Sequence, residues 1–142
     1  MDVPCLFYHV FEYLSDISEH MALHSLLGTS FEPSTVRYYE GNFPELYSNL
    51  LYLKCGKKCF EIPYLPNLIE MDCEYTSIQR IPYLPNLRTL RINHAPITRL
   101  PVLPELRTLQ CNRNKIIINL HMYPKLTLLN GIKIRRKKNS AV

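Results

Sequence analysis

Between residues 50 and 132 the apolar positions recur with a period close to nineteen. Pro63, Pro82 and Pro101 are 19 residues apart, and so are Pro66, Pro85 and Pro104. Leu68, Leu87 and Leu106 keep that spacing, as do Ile78, Ile97 and Ile116. Each unit runs L-x-x-L-x-C/I, then a turn, then I/C-x-x-I/L-P-x-L-P-x-L, and the successive lengths are 18, 19, 19 and 20. Such a period predicts a solenoid, in which each turn buries its apolar face only against its neighbours. The L-x-L segment predicts a short strand with side chains alternating in and out. The inward ladders are then Leu53-Met71-Leu90-Leu109-Leu129 and Cys55-Cys73-Ile92-Cys111. The prolines hold the return limb extended and deny it helix. About five such turns fit, with no room for long helices.

Before residue 47 the period changes. Leu6, Phe7, Val10, Phe11 and Leu14 follow helical spacing over residues 3 to 15. Ser18 suits the N-cap of a second helix ending at Gly28. A third helix is predicted from Pro33 to Gly41, with Val36 and Tyr38 or Tyr39 inward. The expected organisation is a helical unit over 1–46, repeats with a closing segment over 47–132, and a basic flexible tail over 133–142. The class is α+β.

Charge follows the same division. Residues 1 to 48 hold seven acids against one base, a net of −6, whereas residues 49 to 142 hold sixteen bases against five acids, a net of +11. No run of about 18 apolar residues suggests a membrane span, and the N-terminus lacks the basic start of a signal peptide. The five cysteines are an odd set and read as free thiols of a reducing compartment. An intracellular protein is expected, cytoplasmic and, given the basic tail, nuclear as well.

Val3-Pro4, the run Val10-Phe11-Glu12-Tyr13-Leu14-Ser15-Asp16, and Ala22-Leu23 with Leu26-Leu27 resemble the F-box, which docks substrate adaptors onto the Skp-type subunit of cullin ubiquitin ligases. The basic-aromatic ending of that motif is replaced here by FEPSTVRYYEGNF. The resemblance implies docking through Pro4, Leu6, Phe7, Val10 and Leu14. The pattern L-x-x-L-x-C-x-x-N-x-I resembles leucine-rich repeats. Its LP-x-LP linker resembles the short subtype of secreted bacterial ubiquitin-ligase effectors, whose separate catalytic domain has no counterpart in these residues. Asn114 holds the ladder-asparagine position, which Lys58, Thr76 and Ala95 fill in the other turns, and Leu129-Asn130-Gly131 resembles a closing segment.

The chemistry-bearing residues have plainer explanations. Cys55 and Cys59 fall on inward repeat positions, where cysteine serves as a small apolar filler, and a zinc site needs four ligands. His20 and His24 lack a third ligand, and no nucleophile, phosphate-loop or dinucleotide motif is present. No metal, cofactor or catalytic residue is expected. The outward strand positions are more informative. Lys54, Asp72, Arg91 and Gln110 lie in one row, beside Glu70, Asn93 and Asn112. These seven residues are the candidate concave binding face, whether they pair among themselves or recognise a partner. Arg88, Arg107 and Arg113 add positive charge to one flank.

The reading preferred on sequence is a non-enzymatic adaptor, with a client protein on the repeats and a Skp-type ligase subunit on the helices. It raises the client's effective concentration near the ligase. A plain repeat binding module with a helical cap is the alternative. A basic nucleic-acid-associated protein ranks third, because the body shows no aromatics interleaved with bases for stacking. Neither nucleic acid nor membrane is an expected partner.

Overall fold

The computed structural model describes residues 35–39 and 50–137. They form a seven-stranded sheet whose strand order follows chain order. The strands are β1 (Thr35–Tyr39), β2 (Tyr52–Cys55), β3 (Glu70–Asp72), β4 (Thr89–Arg91), β5 (Thr108–Gln110), β6 (Leu128–Leu129) and β7 (Ile132–Lys133). β1 to β6 run parallel, and β7 turns back antiparallel onto β6.

β1 corrects the expected fold class. Instead of a third helix from Pro33 to Gly41, Thr35–Tyr39 is a strand, with Thr35 opposite Tyr52 and Val36 opposite Leu53. Thr-Val-Arg-Tyr-Tyr is β-branched and aromatic, a composition that suits a pleated strand. Pairing also covers an edge of β2 that would otherwise leave backbone groups open. The described residues contain no α-helix, only a 3-10 turn at Leu120–Met122. The α+β class with its three-helix F-box-like unit therefore gives way to a mostly parallel sheet, which draws in part of the segment expected to be helical. The first two expected helices, and with them Pro4, Leu6, Phe7, Val10 and Leu14, lie outside the described residues.

Each turn of chain crosses the sheet once and returns by an extended limb. Met71 pairs with Leu53 on one side and Leu90 on the other, and Leu90 in turn with Leu109. All four are fully buried, each burial worth about 1.5–3 kcal/mol. Cys55, Cys73, Ile92 and Cys111 make the next inward row. The turns are joined by a repeated hydrogen-bond pattern. The Leu51, Ile69, Arg88 and Arg107 carbonyls each accept two consecutive N–H groups from the following turn. On the return limb, Leu-Pro-x-Leu forms a tight turn in which Leu68, Leu87 and Leu106 N–H donate to the Leu65, Leu84 and Leu103 carbonyls. Proline sits second there, where its fixed φ is favourable.

The end of the stack is built differently. Asn130 and Gly131 both have positive φ, 50° and 80°, as a two-residue hairpin turn of the Asn-Gly kind requires. Asn130 Oδ1 accepts from Cys111 N–H at 2.7 Å, doing for β5 what a further turn's carbonyl would do. Lys133 belongs to β7, and Arg136 donates to the Tyr123 carbonyl at 2.5 Å and to that of Leu120 at 3.3 Å. The basic tail thus begins tied to the body. No helix among the described residues is long and apolar enough to cross a membrane.

Candidate interaction face

The strands place all seven expected face residues on one side. Lys54, Asp72, Arg91 and Gln110 stand in register on β2 to β5, because each follows its buried ladder residue by one position and so points the other way. Asn93 and Asn112 lie just past the ends of β4 and β5.

Most of this row is paired within itself. Arg91 Nη1 donates to Glu70 Oε1 at 2.7 Å. Lys54 Nζ lies 3.9 Å from Asp72 Oδ2, and Asp72 Oδ1 accepts from Glu74 N–H at 3.1 Å. Asn93 is the hub. Its amide nitrogen donates to Glu74 and, at 3.5 Å, to Gln110 Oε1, while its oxygen accepts from Asn112 N–H at 2.7 Å. Glu70 and Arg91 are each about a third exposed, so that pair contributes about 0–1 kcal/mol net, whereas Lys54 is partly open and its partner Asp72 is buried. Toward β5 the pairing thins out. The side chains of Thr89, Thr108 and Asn112 show no hydrogen bond among the described residues.

Two features were not apparent from single residues. Glu74, outside the seven, completes the Asn93 hub. Tyr75 and His94 stack with ring centroids 4.5 Å apart and planes 15° from parallel. Tyr75, His94 and Arg113 all have positive φ, near 57–60°. Their equal spacing of 19 residues was the available signal. That register also separates the arginines. Arg88 and Arg107 precede their strands, whereas Arg113 follows β5 in the next turn, so the three do not share one flank.

The four described cysteines, Cys55, Cys59, Cys73 and Cys111, are packed into the core. Cys55 and Cys73 sulfurs are 3.1 Å apart. A hydrogen bond with Cys59 lowers the Cys55 pKa, but the hydrogen bond with Cys73, burial, and the neighbouring Cys73 and Asp72 charges together push it well up. Burial raises that of Cys111 too, against a smaller lowering by Asn130. Such thiols are poor nucleophiles and metal ligands. Among the described residues no group of three or more His, Cys, Asp or Glu side chains converges to hold a metal. On the outer limb, Lys125 bonds Glu105 at 2.5 Å. That bond holds the Glu105 carboxyl below its ordinary pKa, helped by the charges of Lys125, Arg107 and Arg88 against a desolvation cost.

No protein-family model, curated protein or solved structure matches the chain.

Proposed function

We propose that this protein works by binding another protein across the outer face of β2 to β5, and not by catalysis. The observation that carries this is the in-register row Lys54-Asp72-Arg91-Gln110, in which Lys54, Arg91 and Gln110 are half-exposed and the buried Asp72 supplies the opposite charge. Glu70, Asn93 and Asn112 widen it. The sheet holds these groups at fixed spacing and their mutual pairing already orders several side chains, so less side-chain freedom is lost on binding. The resemblance to leucine-rich repeats supports the same use, since stacked repeats form extended binding surfaces. The expected ligase link is left out, because the helical unit it needs includes the segment that forms β1.

A charge swap separates recognition from self-pairing. The double variant Glu70→Arg with Arg91→Glu keeps an internal ion pair but inverts the pattern a partner meets. A photo-crosslinking residue at Thr108 captures the partner, and one at exposed Phe60 on the return limb serves as control. Adducts at Thr108 alone, lost in the swapped protein while its folding midpoint is unchanged, are the expected result. Equal capture by the swapped protein would overturn the proposal.

A further inference from the structure

The inward row beside the leucine ladder consists of Cys55, Cys73, Ile92 and Cys111, all buried. Ile92 is 0% exposed, so the row accepts a larger side chain, and lack of space does not account for two adjacent thiols. Strand register makes Cys55 and Cys73 neighbours. β2 and β3 run parallel with Lys54 opposite Asp72, so the next residue of each faces the other across one strand spacing, about 4.8 Å. A disulfide spans Cα separations of about 4.4–6.8 Å.

The sulfurs of this pair lie 3.1 Å apart in a thiol–thiol hydrogen bond. That is closer than the about 3.5–4.0 Å of ordinary apolar packing, and closing to a bond of about 2.05 Å needs a movement of about 1 Å. The other described thiols are differently placed. Ile92 stands between Cys73 and Cys111 in the row, and the Cys111 sulfur meets the Asn130 amide at 3.8 Å. Cys59 sits beside Cys55 as well, with its thiol donating to the Glu61 carbonyl at 3.4 Å.

We infer that Cys55 and Cys73 form a redox pair, which hydrogen peroxide converts to a disulfide that staples the β2 and β3 turns together. One thiolate attacks the peroxide and breaks its O–O bond. Its sulfur becomes a sulfenic acid, and the departing hydroxide takes up a proton to leave as water. The second thiol then attacks that sulfur. The S–S bond forms, and the hydroxyl leaves with the thiol's proton as a second water. Two electrons pass from the two thiols to one peroxide. Both residues are shielded from solvent, so the first step waits for local opening of the turns. The second needs no further approach, because the partner sulfur is already in contact. The bridge joins positions 18 apart, one whole turn of the stack, and makes covalent a contact that otherwise rests on neighbouring turns alone.

The test treats the full-length protein with one equivalent of hydrogen peroxide. Free thiols are then blocked, and the protein is digested with trypsin and a glutamate-specific protease. Lys54, Lys57, Lys58, Glu61, Glu70 and Glu74 put Cys55, Cys59 and Cys73 on separate peptides. The expected product is a monomer lighter by two hydrogens, in which peptide 55–57 is joined to peptide 71–74. Dithiothreitol is expected to restore the original mass. Amide exchange in β2 and β3 is expected to slow about tenfold or more on bridging. Cys59→Ala is expected to keep both the bridge and the slowed exchange, and Cys73→Ala to lose both. A bridge from Cys55 to Cys59 overturns the inference, as does one through Cys5 or Cys111. So does a protein that gains oxygen without a cross-link, or one that peroxide leaves unchanged.

Discussion

Arg113 and His94 hold the same place in successive turns, and both are strained. A non-glycine residue at positive φ costs about 1–2 kcal/mol, partly offset in any glycine substitute by about 0.5–1 kcal/mol of added backbone entropy loss. The Arg113 side chain makes no hydrogen bond or ion pair among the described residues that repays this. Arg113→Gly is therefore expected to raise stability by about 0.5 kcal/mol, read as a higher urea midpoint. His94→Gly relieves the same strain but loses the stack on Tyr75, worth about 0.5–1.5 kcal/mol, so no gain is expected there. Asn114 is a second residue-scale weakness. Both polar atoms of its side chain are buried without a partner, while its counterpart Thr76 donates to the Cys73 carbonyl at 2.8 Å. Asn114→Thr is expected to let the hydroxyl reach the Cys111 carbonyl in the same way. The expected gain is about 1 kcal/mol, checked by the same denaturation midpoint.

At the scale of elements, neighbouring turns are joined by side chains as well as by the ladder. Glu105 and Lys125 link two successive return limbs. The folded pKa of Glu105 lies below its unfolded value. The stabilisation is therefore complete above the unfolded carboxylate range and disappears as pH falls through the folded pKa. A carboxyl-carbon NMR titration is expected to show Glu105 protonating below the ordinary glutamate range, and Lys125→Met is expected to move it back up. The strand register was legible in advance, because proline and leucine recur at fixed spacing and a one-residue slip would turn each ladder leucine to solvent. β1 was not legible. Five residues between Pro33 and Gly41 fit a short helix or a strand equally by periodicity, and the edge of β2 decides between them. Side-chain partnership was only half legible. Repeat alignment puts Asp72 beside Lys54 and Arg91, but the diagonal Glu70–Arg91 bond and the Asn93 hub depend on rotamers.

In the molecule as a whole each described strand rests mainly on the strands beside it, so stability is a chain of nearest-neighbour contacts with weaker ends. That arrangement predicts graded rather than uniform protection. Leu90, fully buried between Met71 and Leu109, touches two interfaces, and Leu90→Ala is expected to cost about 2–5 kcal/mol. Leu129 is only partly buried at the last parallel strand, and Leu129→Ala is expected to cost less, because a partly exposed side chain has less packing to lose. Amide hydrogen exchange distinguishes the two responses. In the wild type, protection is expected to peak in β3 to β5 and fall toward β7. Leu129→Ala should speed exchange only near β6 and β7. Leu90→Ala should speed it on both sides of β4, since removing a central coupling divides the stack into two arrays, each with a new open end. Uniform acceleration in both variants would instead mean that the described turns open as one unit, and that coupling between neighbours exceeds what one buried leucine supplies.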